Sequence, residues 1–530
     1  MRNHLRALFF LLTLAVGGLS LRGAETFSGV PRAHRAATEL WVLDGGLIKP
    51  DSELLVYASL QGLLAKNGSP KQLYFTFRNT GYEGFLEVLE NDYKVRTHRG
   101  ETPEAVLRRF APAARGYVLY DARNPDSIQV ATMVAGLKNA AVVEAGLERK
   151  IAGITGWGKV ADVGGWKVAD FLREPRTWLK ADFAADLSPN SASVLRDYLI
   201  YAGSPVAYDS AFPTWIDPRK PSRDRPLFGW GNTKDKGERE VIRSFSKNAR
   251  HNIPTNGAHN LSVLSAFEPG GAIAQRTPAT QIIPGNEKTH LVAFVLTDGD
   301  NLGWTLKSFA GDGKQRWFSS PLRGKFPMNY GLSPSLRDLA PPALQWFYRN
   351  AKTGGAARDY FVAGPSGLGY FYPTDYPGKK LLAEHTRKLA RTMAAAGMRY
   401  VEIIDTDAAE RADLWKLYLD HPEIGGLILL DYVPYHKYAG KLSWVNGKPV
   451  ASLRFSLWTP LKGCENEEVA EKLNKLPRDL TKADGYSIVG VHCWSKSLAD
   501  VEKVIGLLRK DTRVVTLDVL METMRAHVKR

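Results

Sequence analysis

Cysteine is nearly absent: the 530 residues hold two, Cys464 and Cys493. Two thiols make no disulfide framework, and what remains is one pairing or two small buried side chains. There is no CxxC, no HExxH, no Walker loop and no dinucleotide fingerprint. Thiol redox, zincin and nucleotide chemistry therefore have no motif to rest on. A run of five or six like charges is also missing, although the net charge is +16. Nucleic-acid binding wants a basic stripe with interleaved aromatics, and the scattered Lys and Arg give none. The charge reads as general surface, with a modest preference for anionic surroundings.

What is present begins with a leader. Arg2, His4 and Arg6 precede an apolar run, Ala7–Val16, and small residues follow up to Gly23-Ala24. That order predicts an export signal over residues 1–24 and a periplasmic or extracellular protein. The apolar run is too short for a membrane span, so no stable span is expected after signal removal. No cysteine lies near the cleavage region to carry a lipid. A length of 530 residues implies more than one domain.

Strand-like runs alternate with helical periods over residues 38–152, as in Glu39–Asp44, Ser52–Lys66 and Gln72–Phe77. This rhythm predicts α/β subdomains. Residues 153–284 read as a helical, loop-rich continuation ending in a linker, punctuated by Gly156-Trp-Gly158, Phe212-Pro-Thr-Trp215 and Gly229-Trp-Gly231. Over 285–530 about eight apolar runs recur, most followed by a helix. The fold expected is α/β: a C-terminal (β/α) barrel of seven or eight strands, preceded by a multi-part N-terminal α/β region.

Polar residues sit at the ends of those runs. His290–Thr297 leads into Asp298-Gly-Asp300-Asn301, Arg399–Ile404 into Asp405, and Gly426–Leu430 into Asp431-Tyr432. Pro449–Leu457 ends in Trp458, and Tyr486–Val491 in His492-Cys-Trp494. In a parallel barrel such ends share one face, where chemistry is done. Between the third and fourth runs lies Gly364-Pro-Ser-Gly-Leu-Gly-Tyr-Phe-Tyr-Pro373, whose glycines permit close backbone approach and whose tyrosines offer plates with polar tips.

Carboxylates among aromatic plates suit glycoside hydrolysis, in which one carboxyl protonates the leaving oxygen and another attacks or activates water. Asp298, Asp300, Asp405 and Asp431 are the catalytic candidates. Asn301, Tyr370, Tyr372, Tyr432, His492 and Trp494 are the substrate-binding ones. A single Asp of this kind is more often a cap or turn residue, as Asp518 reads. Glu402 lies mid-strand and reads as a structural ion partner.

Gly367-Leu-Gly-Tyr-Phe-Tyr-Pro373 matches every fixed position of the GxGYxYP signature, and with it the chain resembles the family of that name, assigned to glycoside hydrolysis. Ser59-Leu-Gln-Gly62, Leu296–Asn301 and the leader fit the same resemblance. It implies a multi-part N-terminal region, a C-terminal domain carrying the motif, and a carbohydrate substrate, but carries over no catalytic residues. A fainter similarity links Leu296-Thr-Asp-Gly and Val491-His492 to polysaccharide deacetylases, which hold a metal with an Asp and two histidines. The paired-histidine motif is missing here, and His385 stands alone on its helix like a surface residue. No metal or cofactor is therefore expected. The alternatives to a hydrolase are a metal-dependent deacetylase-like enzyme and a non-catalytic carbohydrate-binding protein. Nothing in the sequence sets the oligomeric state.

Overall fold

The structure is a computed structural model describing residues 26–173, 183–209, 223–269, 273–275, 279–355, 357–405, 409–432 and 436–529. The leader, residues 1–24, and the Phe212–Trp215 motif lie outside the described residues. No helix among the described residues is long and apolar enough to cross a membrane.

The chain is a mixed α/β protein built on parallel-rich sheets. Strands β1 (Glu39–Asp44), β2 (Lys71–Thr76) and β3 (Arg96–His98) form one sheet, ordered β2-β1-β3. Strands β4 (Tyr117–Tyr120), β5 (Ala141–Glu144) and β6 (Lys159–Asp162) form another, ordered β5-β4-β6. A third holds β7 (Ala184–Asp186), β8 (Val206–Ala207), β9 (Arg225–Gly229) and β10 (Arg250–Ile253), ordered β10-β9-β7-β8. This sheet occupies the stretch that reads as helical and loop-rich. Its strands are two to five residues long and set among glycines and prolines, too short to show a period.

The helix Asp51–Lys66 is buried from Ser52 to Ala65 and ties these sheets together. Its Ser59-Leu-Gln-Gly62 segment does so with specific contacts. Ser59 Oγ accepts the Val142 N–H at 3.1 Å, and Gln61 Nε2 donates to Leu73 O and Asn260 Oδ1, both at 2.8 Å. At Gly62 a Cβ would stand 2.3 Å from Asp197 O, so only glycine lets the neighbouring helix Arg196–Ala202 come this close.

The C-terminal sheet has ten strands. In order of first appearance they are β11 (His290–Leu296), β12 (Met328–Leu332), β13 (Asp359–Ala363), β14 (Tyr400–Ile403), β15 (Gly426–Leu429), β16 (Leu442–Val445), β17 (Lys448–Ser452), β18 (Phe455–Leu457), β19 (Tyr486–Val491) and β20 (Thr512–Val514). The order is β16-β17-β15-β14-β13-β12-β11-β19-β18, with β20 beside the start of β11. Every pairing is parallel except the β16–β17 hairpin. All seven residues of β11 are buried, as its unbroken apolar run requires.

The run Pro449–Leu457 is not one strand but two, interrupted at Leu453-Arg454. Those two residues reach opposite ends of the sheet: the Leu453 N–H donates to Leu429 O at 3.0 Å, and the Arg454 N–H to Ile488 O at 2.8 Å. The sheet is thereby curled on itself. Asp518 is no cap either. It is buried, and its carboxylate accepts from Arg358 Nη2 at 2.6 Å and from Thr280 at 2.9 Å, while Thr516 precedes its helix.

Candidate active site

Parallel pairing puts the C-terminal ends of β11, β13, β14, β15, β18 and β19 on one rim. A cleft opens there. Its outer lobe, about 350 Å³, has the size of a small-ligand pocket. Asp298, Tyr370, Tyr372, Asp405, Tyr432, His492 and Trp494 line it. The inner lobe is lined by Asp298, Asp300, Asn301, Tyr370, Tyr432 and Trp494. Nine of the ten residues singled out from the sequence therefore meet in one cleft.

Asp431 is the exception. Its neighbours Leu430 and Tyr432 line the cleft, but the chain turns just past β15, where the Asp431 N–H donates to Leu429 O at 2.9 Å, and Asp431 does not line it. Its carboxylate accepts the backbone N–H of Tyr438 at 2.6 Å and of Lys437 at 3.3 Å, which fixes the following loop. Asp405 does line the cleft but is also engaged, accepting the Thr374 N–H and hydroxyl at 2.8 Å each. Asn301 accepts the Trp304 N–H at 3.0 Å and so caps a short helix.

Asp298 has a backbone φ of +69°, a left-handed conformation that costs a non-glycine residue about 1–3 kcal/mol and often marks a working position. Its carboxylate accepts from the Thr297 hydroxyl at 2.9 Å and pairs with the Cys493 thiol. Both cysteines are buried free thiols. Asp300 is only 5% exposed; burial, the charge of Asp298 and then Glu238 push its carboxyl well above the usual range. Beneath them Glu402 is fully buried with neither oxygen hydrogen-bonded. It is not the ion partner that its position implies. Burial first, and then Asp298 and Asp300, push its carboxyl well above the usual range.

The aromatic walls are ordered by contact. His492 stacks on Trp458 with centroids 3.8 Å apart and planes 9° from parallel, and its Nδ1 meets Ser495 Oγ at 2.8 Å. Burial lowers its pKa. Trp494 is 51% exposed, a large apolar plate open to solvent beside the cleft.

The opposite wall comes from the N-terminal part, and sequence reasoning missed it. Glu238, Arg239 and Arg243, from the helix Glu238–Lys247, line the outer lobe, and Glu238, Trp230 and Asn256 the inner one. The only local cue is Gly229-Trp-Gly231, which reads as punctuation. The GxGYxYP loop joins the two walls. Tyr370 pairs with Asn252 of β10 through both backbone bonds, 2.8 and 2.6 Å. A Cβ on Gly369 would sit 2.4 Å from Asn252 O, so glycine is required for this seam. The Tyr372 N–H donates to Ser246 Oγ at 2.9 Å. The Tyr370 hydroxyl donates to Glu238 Oε1 at 3.0 Å, and the Tyr372 hydroxyl lies 3.3 Å from that of Tyr370. Burial pushes the Tyr372 phenol up to about 12 and that of Tyr370 well above its ordinary value.

Among the described residues, one group of metal-ligand atoms converges: Asp224, His251 and His385, all buried. His385 is thus no surface residue. Both Nδ1 atoms lie against Asp224 Oδ1, at 2.9 and 3.1 Å, where the Tyr376 hydroxyl also bonds, and Lys388 Nζ stands 3.1 Å from Oδ2. Asp224 is held by these hydrogen bonds, while the Nε2 atoms of both imidazoles are buried without a partner among the described residues. The group forms a buried hub against the motif loop, where the His385 ring meets that of Phe371 with centroids 4.5 Å apart. At the strand ends His492 is the one imidazole lining the cleft, so the two-histidine set of a deacetylase does not assemble there among the described residues.

Residues 288–525 match the family model described as GxGYxYP putative glycoside hydrolase C-terminal domain, and residues 114–184 match the GxGYxYP_N second domain. The chain is similar over its length to the crystal structure of a putative hydrolase from Bacteroides thetaiotaomicron VPI-5482. The TM-score is 0.86 at 26% identity, covering 95% of this chain and 98% of that one. No curated protein matches the chain.

Proposed function

Because this chain belongs to the GxGYxYP family, we propose that the cleft is the active site of a glycoside hydrolase acting on a poly- or oligosaccharide by carboxylate chemistry. We read the curled sheet as a (β/α) barrel whose rim carries that site. The leader over residues 1–24 supports a role outside the cytoplasm, where glycans are met.

One observation carries the reading: Asp298, in a left-handed backbone, lines both lobes of a cleft walled by Tyr370, Tyr432 and Trp494. Aromatic plates bind the apolar faces of sugar rings and leave the hydroxyls to polar neighbours. Hydrolysis then needs two carboxyls, one charged and one protonated, on either side of the glycosidic bond. Asp298 takes the charged role, as nucleophile or as base toward water. The proton donor is Asp300 or Glu238, the two acids beside it whose proton affinity the protein raises.

Asp298→Asn should lower turnover on a cleavable oligosaccharide by about 10²–10⁴-fold while binding persists. Release of reducing ends, with binding followed by calorimetry, checks this. Unchanged turnover removes Asp298 from the chemistry. A wild-type protein that binds glycans and cleaves none is a binding protein.

A further inference from the structure

Asp300 and Glu238 differ in how they meet the cleft. Asp300 is 5% exposed and lines the inner lobe alone. Glu238 lines both lobes, as Asp298 does, but from the opposite wall, on the helix Glu238–Lys247 rather than a strand end. A pair that flanks a bond must come from two sides, and these two acids do. Glu238 is also held. Tyr370, fixed to β10 by its backbone, donates its hydroxyl to Oε1 at 3.0 Å, and Oε2 makes no hydrogen bond among the described residues. Trp230 lies over Tyr370 with centroids 6.3 Å apart and planes 25° from parallel, and Tyr372 meets its hydroxyl at 3.3 Å. Glu238 keeps an exposed face; where it meets the cleft, desolvation raises its carboxyl, the Tyr370 hydrogen bond draws it part of the way back, and Asp298 raises it again.

We infer that Glu238, contributed by the N-terminal part of the chain, is the proton donor of this site, and that the first tyrosine of the GxGYxYP loop is the positioning residue that aims it. The inference rests on the hydrolase reading above. As the glycosidic C–O bond breaks, its electron pair stays on the leaving oxygen, which takes the proton from Glu238. Water supplies the hydroxyl at the anomeric carbon, and its other proton ends on the carboxylate of the pair that lacks one. The loop signature and the N-terminal sheet are then parts of one device: the glycine seam sets Tyr370, and Tyr370 sets the acid.

The test uses the full-length chain and aryl glycosides in two forms, with activated nitrophenyl and with plain phenyl leaving groups. Glu238→Gln should lose about 10²–10⁴-fold on the phenyl glycoside and far less on the nitrophenyl one, which departs without a proton. The alkaline limb of kcat/KM reports the acid, since activity falls as pH rises through its pKa. In Tyr370→Phe the downward pull on Glu238 is gone, so that limb should move to higher pH, which a merely structural role would not do. Carbon-13 NMR of the glutamate carboxyls follows the same group without turnover. The Glu238 signal, identified by its loss in Glu238→Gln, should titrate above the ordinary glutamate range, and higher still in Tyr370→Phe. Equal losses on both leaving groups, or an ordinary titration, overturn the assignment. If Asp298→Asn is inactive while Glu238→Gln is not, Glu238 is excluded and the hydrolase stands. If the wild type cleaves no glycoside, both fall.

Discussion

At the scale of single residues, the environment of each carboxyl separates its role from that of the next. Asp405 and Asp431 are tied by loop N–H groups, Asp300 is sunk in the floor, and Asp298 is left at the surface of the cleft. Glu402 shows the cost of burying an acid. Its folded pKa stands well above the ~4.3 of an unfolded glutamate. Its contribution to stability is therefore complete below the unfolded value and is lost as pH rises toward the folded one. Glu402→Gln does not titrate. The variant should match the wild type near pH 4 and melt higher by on the order of 2–4 °C at pH 8, a gap that thermal scans from pH 4 to 9 would show. A gap that does not change with pH counts against a protonated Glu402.

At the scale of elements, the motif loop is a seam between two sheets. Its backbone pairing with Asn252 leaves no space for a side chain at Gly369, where a Cβ would meet Asn252 O at 2.4 Å. A backbone oxygen cannot swing aside as a side chain does. Gly369→Ala should cost about 1–3 kcal/mol, read as a lower denaturant midpoint with the slope unchanged. The same shift displaces Tyr370, so the alkaline limb of activity should move as in Tyr370→Phe. A neutral Gly369→Ala would show that the seam yields.

At the scale of the whole molecule, the hub of Asp224, His251, Tyr376, His385 and Lys388 fastens the N-terminal part to the motif loop and the helix Lys379–Ala396 that follows it. Burial opposes the Asp224 charge, but the two imidazoles outweigh it and hold its pKa well below the usual range. That stability is present above the unfolded value of ~3.9 and is lost as pH falls through the folded one. Asp224→Asn should cost about 3–5 kcal/mol at neutral pH, because it leaves the Lys388 ammonium without its counter-charge and takes the shared acceptor from the buried groups bonded to it. Chemical denaturation measures the loss, which should shrink in acid. Hydrogen exchange should speed up around the motif loop while the distant β4–β6 sheet stays protected. A variant as stable as the wild type would make the hub dispensable.

The sequence alone determined what is local. The apolar run of β11 required a strand buried on both faces, strand–helix alternation required α/β units, and the Gly-Tyr loop with most of its strand-end acids pointed to the rim where the cleft opens. Residues at most a few places apart carry all of these, and a side-chain period or a turn chemistry reads them directly. It misplaced Asp431 because the chain turns just past the end of β15, and no pattern tells which of three successive residues then faces the cleft. It missed the third N-terminal sheet because strands of two to five residues have no period to detect. Only the tertiary structure decided the partners. Glu238 and Tyr370 are 132 positions apart, and the His251–Asp224–His385 contacts join segments on either side of the domain linker. Such pairs meet because backbone seams and buried charges bring separate folding units together, and that energy is absent from any single stretch of chain.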